Sequence, residues 1–177
     1  MANGETAVIN SIQELADQFG KLIPQETPAA PATAAAGTSP VPVAPPAPIQ
    51  TTDHAAKGYH LDVRVKPDQV VGAAELLDRN GFAIDAVTGV DWMAENEMEV
   101  VYDYLHPRGP WRVVVRTRVP RGKPELPTIS QVLPGANWHE RETHEFFGIV
   151  FLGHPNLVPL LLPEDVTYHP LRKDFTA

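Results

Sequence analysis

Apolar residues recur at steps of four and three near the start of the chain: Val8, Ile12, Leu15, Phe19 and Leu22. That spacing puts them on one face of a helix. Ser11, with Glu14 three residues on, reads as a capping box. One amphipathic helix this short is marginal alone in water, so its face predicts docking, on the body of the protein or on a partner. The pattern changes at YHLDVRV, where Tyr59, Leu61, Val63 and Val65 alternate with polar residues, as in a half-buried strand. Pro67 suits the first turn of a helix through Val70, Val71, Ala74 and Leu77, and Gly81 suits its left-handed stop. FAIDAVTGVDW, EMEVVYDYLH and WRVVVRTRV follow as three strands, the last two joined by PRGP as an antiparallel hairpin. ELPTISQVLPG predicts a short helix closed by Pro134 and Gly135. NWHERETHEFFG predicts another, with Asn137 as its N-cap and Gly148 just past its end. The order implies an α+β class: a mostly antiparallel sheet with flanking helices, followed by an extended irregular C-terminal tail.

Composition divides the 177 residues into zones. Residues 1–23 form the amphipathic helix and 24–50 a Pro/Ala-rich linker. Residues 51–148 form the α+β domain and 149–177 the tail. The linker lacks aromatics and is almost uncharged, and its prolines deny it a helix or a sheet ladder. It reads as a semi-rigid tether, about 3.1 Å per residue where polyproline II holds. A net charge of -8 argues against nucleic-acid binding, which needs clustered Lys and Arg. The absence of cysteine removes thiolate ligation of iron–sulfur clusters or zinc, thiol nucleophiles and disulfides. The N-terminus lacks a basic region followed by an apolar one, so no signal peptide is expected. No apolar run approaches the roughly 18–20 residues that span a bilayer.

Chemistry crowds into NWHERETHEFFGIVFLGHPNL, with three His and three Glu. HERETHE invites comparison with zinc-protease helices, whose two His stand at i and i+4. His139 and His144 are five apart, about 140° around a helix, and cannot chelate one ion together. Trp138, Glu142, Glu145 and Phe146 instead share a face, with Arg141 beside them. Arg141 and Glu145, at i and i+4, could form a solvated pair worth a few tenths of a kcal/mol. The other reading is a face packed on another protein, its charges paired near the contact. His154 and His169 each precede a proline and read as loop residues. The tail is apolar at Leu157, Leu160, Leu161 and Leu162, yet Pro159 and Pro163 forbid a long helix. A strap lying along another subunit reconciles the two.

PGANWHERETHEFFGIVFLGHP, followed by YHPLRKDF, resembles the signature of the 30-kDa subunit of respiratory complex I, NADH:quinone oxidoreductase. Related subunits occur in membrane-bound [NiFe] hydrogenases and deazaflavin-linked dehydrogenases. The matching elements are Glu140-Arg141-Glu142, Phe147-Gly148-Ile149, Gly153-His154-Pro155 and the run His169-Pro170-Leu171-Arg172-Lys173-Asp174-Phe175, with TGVDW earlier. The resemblance spans roughly Tyr59 to Phe175. His144, Glu145 and Phe146 depart from it, where relatives usually carry an aromatic, then Asp, before Met/Leu-Phe-Gly.

The resemblance implies a subunit that binds no cofactor and has no active site. It would sit in the peripheral arm beside the 49-kDa-type subunit, a relative of the hydrogenase large subunit, and neighbouring iron–sulfur subunits. Iron–sulfur clusters, with flavin or nickel–iron, would belong to those partners. The chain would support electron transfer to quinone coupled to ion translocation, peripheral to the cytoplasmic face of the cell membrane through its complex. Together with the mixed helix face, the resemblance implies an interface of Trp138, Glu140, Arg141, Glu142, Glu145, Phe146, His154, Pro155, Leu160, Leu161, Leu162, His169, Pro170, Leu171, Arg172, Lys173 and Asp174. One alternative is the equivalent subunit of an energy-converting hydrogenase. A more remote one is a metal-dependent hydrolase using His139, Glu140, His144 and His154.

Overall fold

A short amphipathic helix stays folded in water only by burying its apolar face, and the first helix does so on its own chain. In the computed structural model, which describes residues 11–23 and 47–176, helix α1 (Ile12–Leu22) packs against helix α3 (Val70–Arg79) and strands β1 (Ile49–Thr51) and β2 (Leu61–Arg64). Leu15 and Phe19 are fully buried. The Ser11 hydroxyl accepts from the Glu14 N–H, satisfying one of the free amides of the first turn. Asn80, at the end of α3, donates to Gln18 across the helix pair at 2.9 Å. Val8 lies outside the described residues.

The remaining elements are the short helix α2 (His54–Lys57), strands β3 (Ala83–Trp92), β4 (Glu97–Leu105), β5 (Arg112–Pro120) and β6 (Glu125–Pro127), helix α4 (Ala136–Phe147) and strand β7 (Val150–Leu152). Five strands form one sheet in the order β1-β2-β5-β4-β3, antiparallel except for β2 with β5. Strands β6 and β7 pair in parallel as a separate two-stranded sheet. Alternation in β4 sends Met98, Val100, Tyr102 and Tyr104 to the helices, and β5 sends Val113, Val115 and Val119 beside them. Residues of α1, α3 and α4 close over this face as one apolar cluster.

A ten-residue edge strand is a template for unwanted pairing unless something covers it. Helix α4 covers β3. The Thr143 hydroxyl donates to the Val87 carbonyl at 2.9 Å, and Phe147 lies so close to Gly89 that a Cβ there would stand 2.5 Å from the ring.

Four expectations are corrected. ELPTISQVLPG is no helix: Glu125–Pro127 is strand β6, and turns follow, because pairing with β7 supplies the ladder. Asn137 is not an N-cap. The preceding turn runs straight into the helix, the Ala136 and Asn137 amides donating to Leu133 and Pro134 carbonyls at 2.9 and 3.2 Å, so the start needs no side-chain acceptor. Ile49 and Gln50, read as tether, pair with Val63 and Asp62 in β1. The stretch after Gly148 first supplies β7 to the body and only then becomes irregular.

Candidate interface on helix α4 and the C-terminal tail

Helix α4 has an ordinary buried face of Ala136, Glu140 and Thr143. Its second, mixed face is occupied by the chain's own tail. Arg141 donates from Nε to the Val158 carbonyl and from Nη2 to the Pro159 carbonyl, each at 2.9 Å. One turn on, the Glu145 carboxylate accepts the next three amides, those of Leu160, Leu161 and Leu162, at 2.8 to 3.1 Å. The cation takes the tail's carbonyls and the anion takes its amides. No Arg141–Glu145 ion pair forms, because each side chain gains more from a backbone that has no ladder of its own.

Further along, the tail finishes the helix. The last four carbonyls of an α-helix have no partner within it. Here the His144 carbonyl accepts from the Gly148 N–H at 2.7 Å, with Gly148 at φ 74°, the left-handed cap the sequence predicts. The Glu145 carbonyl accepts from His169 Nδ1 at 2.9 Å, Phe146 from the Leu171 N–H at 3.2 Å, and Phe147 from Arg172 Nε at 2.6 Å. The Arg172 cation also sits at the negative end of the helix dipole. His144 turns away and donates from Nδ1 to the Ile149 carbonyl at 2.8 Å.

The tail ends in a clasp. Asp91, buried at the end of β3, accepts two hydrogen bonds from Arg121, at 2.8 and 3.1 Å, and one from the Lys173 amide at 2.9 Å. Arg121 also holds Asp174 at 2.6 Å. Hydrogen bonds from Arg121 hold the Asp91 and Asp174 carboxyls below their usual range. The Lys173 ammonium lies 5.8 Å from the centre of the Trp92 ring.

Glu140 has no exposed surface. It accepts from the Ile129 amide at 2.8 Å and from the Thr128 hydroxyl, pinning the loop after β6 to α4. Burial pushes its carboxyl up to about 7, against the pull of those two donors. His154 Nε2 stands 3.9 Å from it, the ring equally enclosed. That ring accepts the Asn156 amide at Nδ1 and therefore carries its proton at Nε2, facing the Asn137 carbonyl at 3.1 Å. Burial lowers the affinity of His154 and His169 for a second proton.

The hydrogen bonds of Glu140, Arg141, Glu145, His154, His169 and Arg172 described here are thus made within the chain. Leu160, Leu162, Phe146 and Pro170 are half-buried. Trp138, Glu142, Pro155, Leu161, Leu171, Lys173 and Asp174 face outward, with Trp138 66% and Leu161 64% exposed. Sequence reasoning missed Asp91, Arg121, Thr128 and Thr143 as holders of this arrangement. Only Asp91 carried a signal, as the acid of TGVDW. The hydrolase arrangement fails, because Glu140 and His154 are enclosed and no substrate reaches them. Among the described residues no group of three or more His, Asp or Glu suits a metal ion, and no helix is long and apolar enough to cross a membrane.

These features define an α+β scaffold whose C-terminal strap is laid on its own charged helix. Residues 63–177 match the family described as respiratory-chain NADH dehydrogenase, 30 Kd subunit, and the chain belongs to that family. It is similar to the C subunit of the NADH-quinone oxidoreductase of Roseiflexus castenholzii, 40% identical over 119 residues, 64% of this chain and 68% of the relative. The corresponding C subunit of Moorella thermoacetica is 38% identical over 122 residues, 67% of this chain and 82% of the relative. The C subunit of the F(420)H(2) dehydrogenase of Methanosarcina mazei is 43% identical over 91 residues, 51% of this chain and 58% of the relative. The fold is shared with a chain in the solved structure of the membrane-bound sulfane sulfur reductase, an archaeal respiratory membrane complex. That match has a TM-score of 0.68 and 24% identity, and covers 93% of this chain and 85% of the other.

Proposed function

We propose that the chain is a non-catalytic structural subunit in the peripheral arm of a membrane-associated NADH:quinone oxidoreductase. It packs against the 49-kDa-type subunit and neighbouring iron–sulfur subunits, which carry the clusters and flavin. It reaches the cytoplasmic face of the membrane only through that complex. The observation that carries this reading is the outward apolar surface of α4 and the tail: Trp138, Val158, Leu161, Tyr168 and Leu171 stand exposed on backbone that the chain itself holds in place. Exposed large side chains on a pre-ordered scaffold lose little entropy on docking, and Trp suits the centre of an interface.

Co-purification of the tagged full chain, with mass spectrometry of its partners, tests this. The wild type is expected to bring down a hydrogenase-large-subunit-like protein and cluster-bearing subunits. Trp138→Ala combined with Leu161→Asp is expected to lose them while the variant stays folded. Unchanged recovery in the double variant would place the interface elsewhere. A nickel-liganding Cys-x-x-Cys pair in the large partner would assign the complex to the hydrogenases instead.

A further inference from the structure

The sheet's other face carries a cleft outside the region assigned above. Strand β2 pairs with β5 only as far as Arg64 with Arg116, and its last bond runs from the Val65 amide to the Arg116 carbonyl at 2.9 Å. The chain then leaves the sheet at Lys66 and Pro67, where a 3₁₀ turn begins. Strand β5 continues to Pro120, paired on its β4 side alone. The gap left behind is a cleft of about 260 Å³ between Val65–Pro67 and Thr117–Arg118.

Its walls are cationic in a chain of net charge -8. Arg64, Lys66, Arg116 and Arg118 line it, four of the protein's 14 Lys and Arg, together with one carboxylate, Glu99. Arg116 is tied to Asp62 at 3.1 Å, and Arg118 lies between Glu97 at 2.8 Å and Glu99 at 3.7 Å, which fixes their directions. Arg64 has no carboxylate partner among the described residues. The backbone adds polar groups of its own. Backbone groups two residues apart on a strand point the same way, so the Arg118 N–H and C=O follow those of Arg116 toward the space that β2 vacates. No backbone partner among the described residues takes the Arg118 N–H there.

We propose that this cleft receives an extended, acidic peptide segment of a partner protein, one with Asp or Glu at alternate positions. The segment would continue the sheet where β2 stops, pairing with the free edge of Arg118. Its alternate side chains would fall on the face that presents Arg64, Arg116 and Arg118. Arg116 and Arg118 already have carboxylate partners within the sheet, which leaves Arg64 as the main anchor and suits singly charged carboxylates spaced along a strand better than one compact dianion. The proposal does not depend on the assembly reading above, since it concerns the sheet face opposite helices α1, α3 and α4.

The test is a nuclear magnetic resonance titration of the full chain at low salt. The probes are a peptide alternating Glu and Val, an isomer with the Glu residues grouped together, and inorganic phosphate. The alternating peptide is expected to saturate, shifting the Arg118 amide and the indole of Trp92, whose ring lies 4.8 Å beneath the Arg118 guanidinium. Arg64→Glu should weaken it at least tenfold without altering the melting temperature. Equal binding of the grouped isomer, full competition by phosphate at equal charge, or affinity indifferent to Arg64→Glu would each overturn the proposal.

Discussion

Glu140→Gln should make the protein more stable at pH 8 and no more stable at pH 5. The Glu140 side chain is wholly enclosed, and its folded-state pKa of about 7 compares with an ordinary 4.5. A group whose pKa is raised by folding contributes its full stability below the unfolded value and loses it as pH rises through the folded one. A 2.5-unit rise corresponds to about 3 kcal/mol at about 1.4 kcal/mol per unit, lost mostly between pH 5 and 7. Glutamine carries no charge and fits the same bonds. Its carbonyl accepts the Ile129 amide, and its NH₂ donates to the Thr128 hydroxyl. That hydroxyl then turns its own proton to Ser130 Oγ, 2.8 Å away. Urea unfolding of both proteins from pH 5 to 8 reads the difference directly. The buried histidines, lowered in pKa, give the opposite slope in both proteins and largely cancel. The variant is expected to gain on the wild type by about 2 kcal/mol across the window. Parallel profiles, or a loss equal at every pH, would show that Glu140 does not titrate there and would refute the reasoning.

Two other predictions concern how the tail and the sheet edge are held. Glu145→Ala removes the acceptor for three consecutive tail amides, charge-assisted bonds worth roughly 1.5–3 kcal/mol each in isolation. Limited proteolysis should then cut between Pro163 and Thr167 at least tenfold faster while the body resists; unchanged cleavage would mean that the Asp91–Arg121 clasp holds the tail alone. Gly89→Ala forces a Cβ against Phe147 and should cost about 1–3 kcal/mol by lifting α4 from the edge strand, seen as a lower urea midpoint. A variant as stable as the wild type would mean that the Phe147 ring moves aside freely.

Much of the architecture was legible in local pattern. The alternation of EMEVVYDYLH and WRVVVRTRV set both which residues face the core and the hairpin that joins them, because strand periodicity is a property of successive residues. The spacing of Leu15 and Phe19 likewise dictated an apolar helix face, and Gly148 a helix stop. What local pattern left open was the partner of each face. The first helix could have docked elsewhere; the structure lays it on α3, since that is where its apolar stripe finds buried surface. The short helix expected after β5 became a strand, because a parallel partner 25 residues away outweighs local turn preference.

The charged helix marks the boundary most clearly. Sequence alone determined that Arg141 and Glu145 share a face with Trp138, that proline breaks the tail's periodicity, and that no thiolate chemistry is available to this chain. Only the tertiary structure decided that the two charges grip the tail instead of each other, and that His169 and Arg172 cap the helix that carries them. The reason is that a hydrogen bond to backbone depends on where a distant segment lies, and no spacing along one helix contains that information.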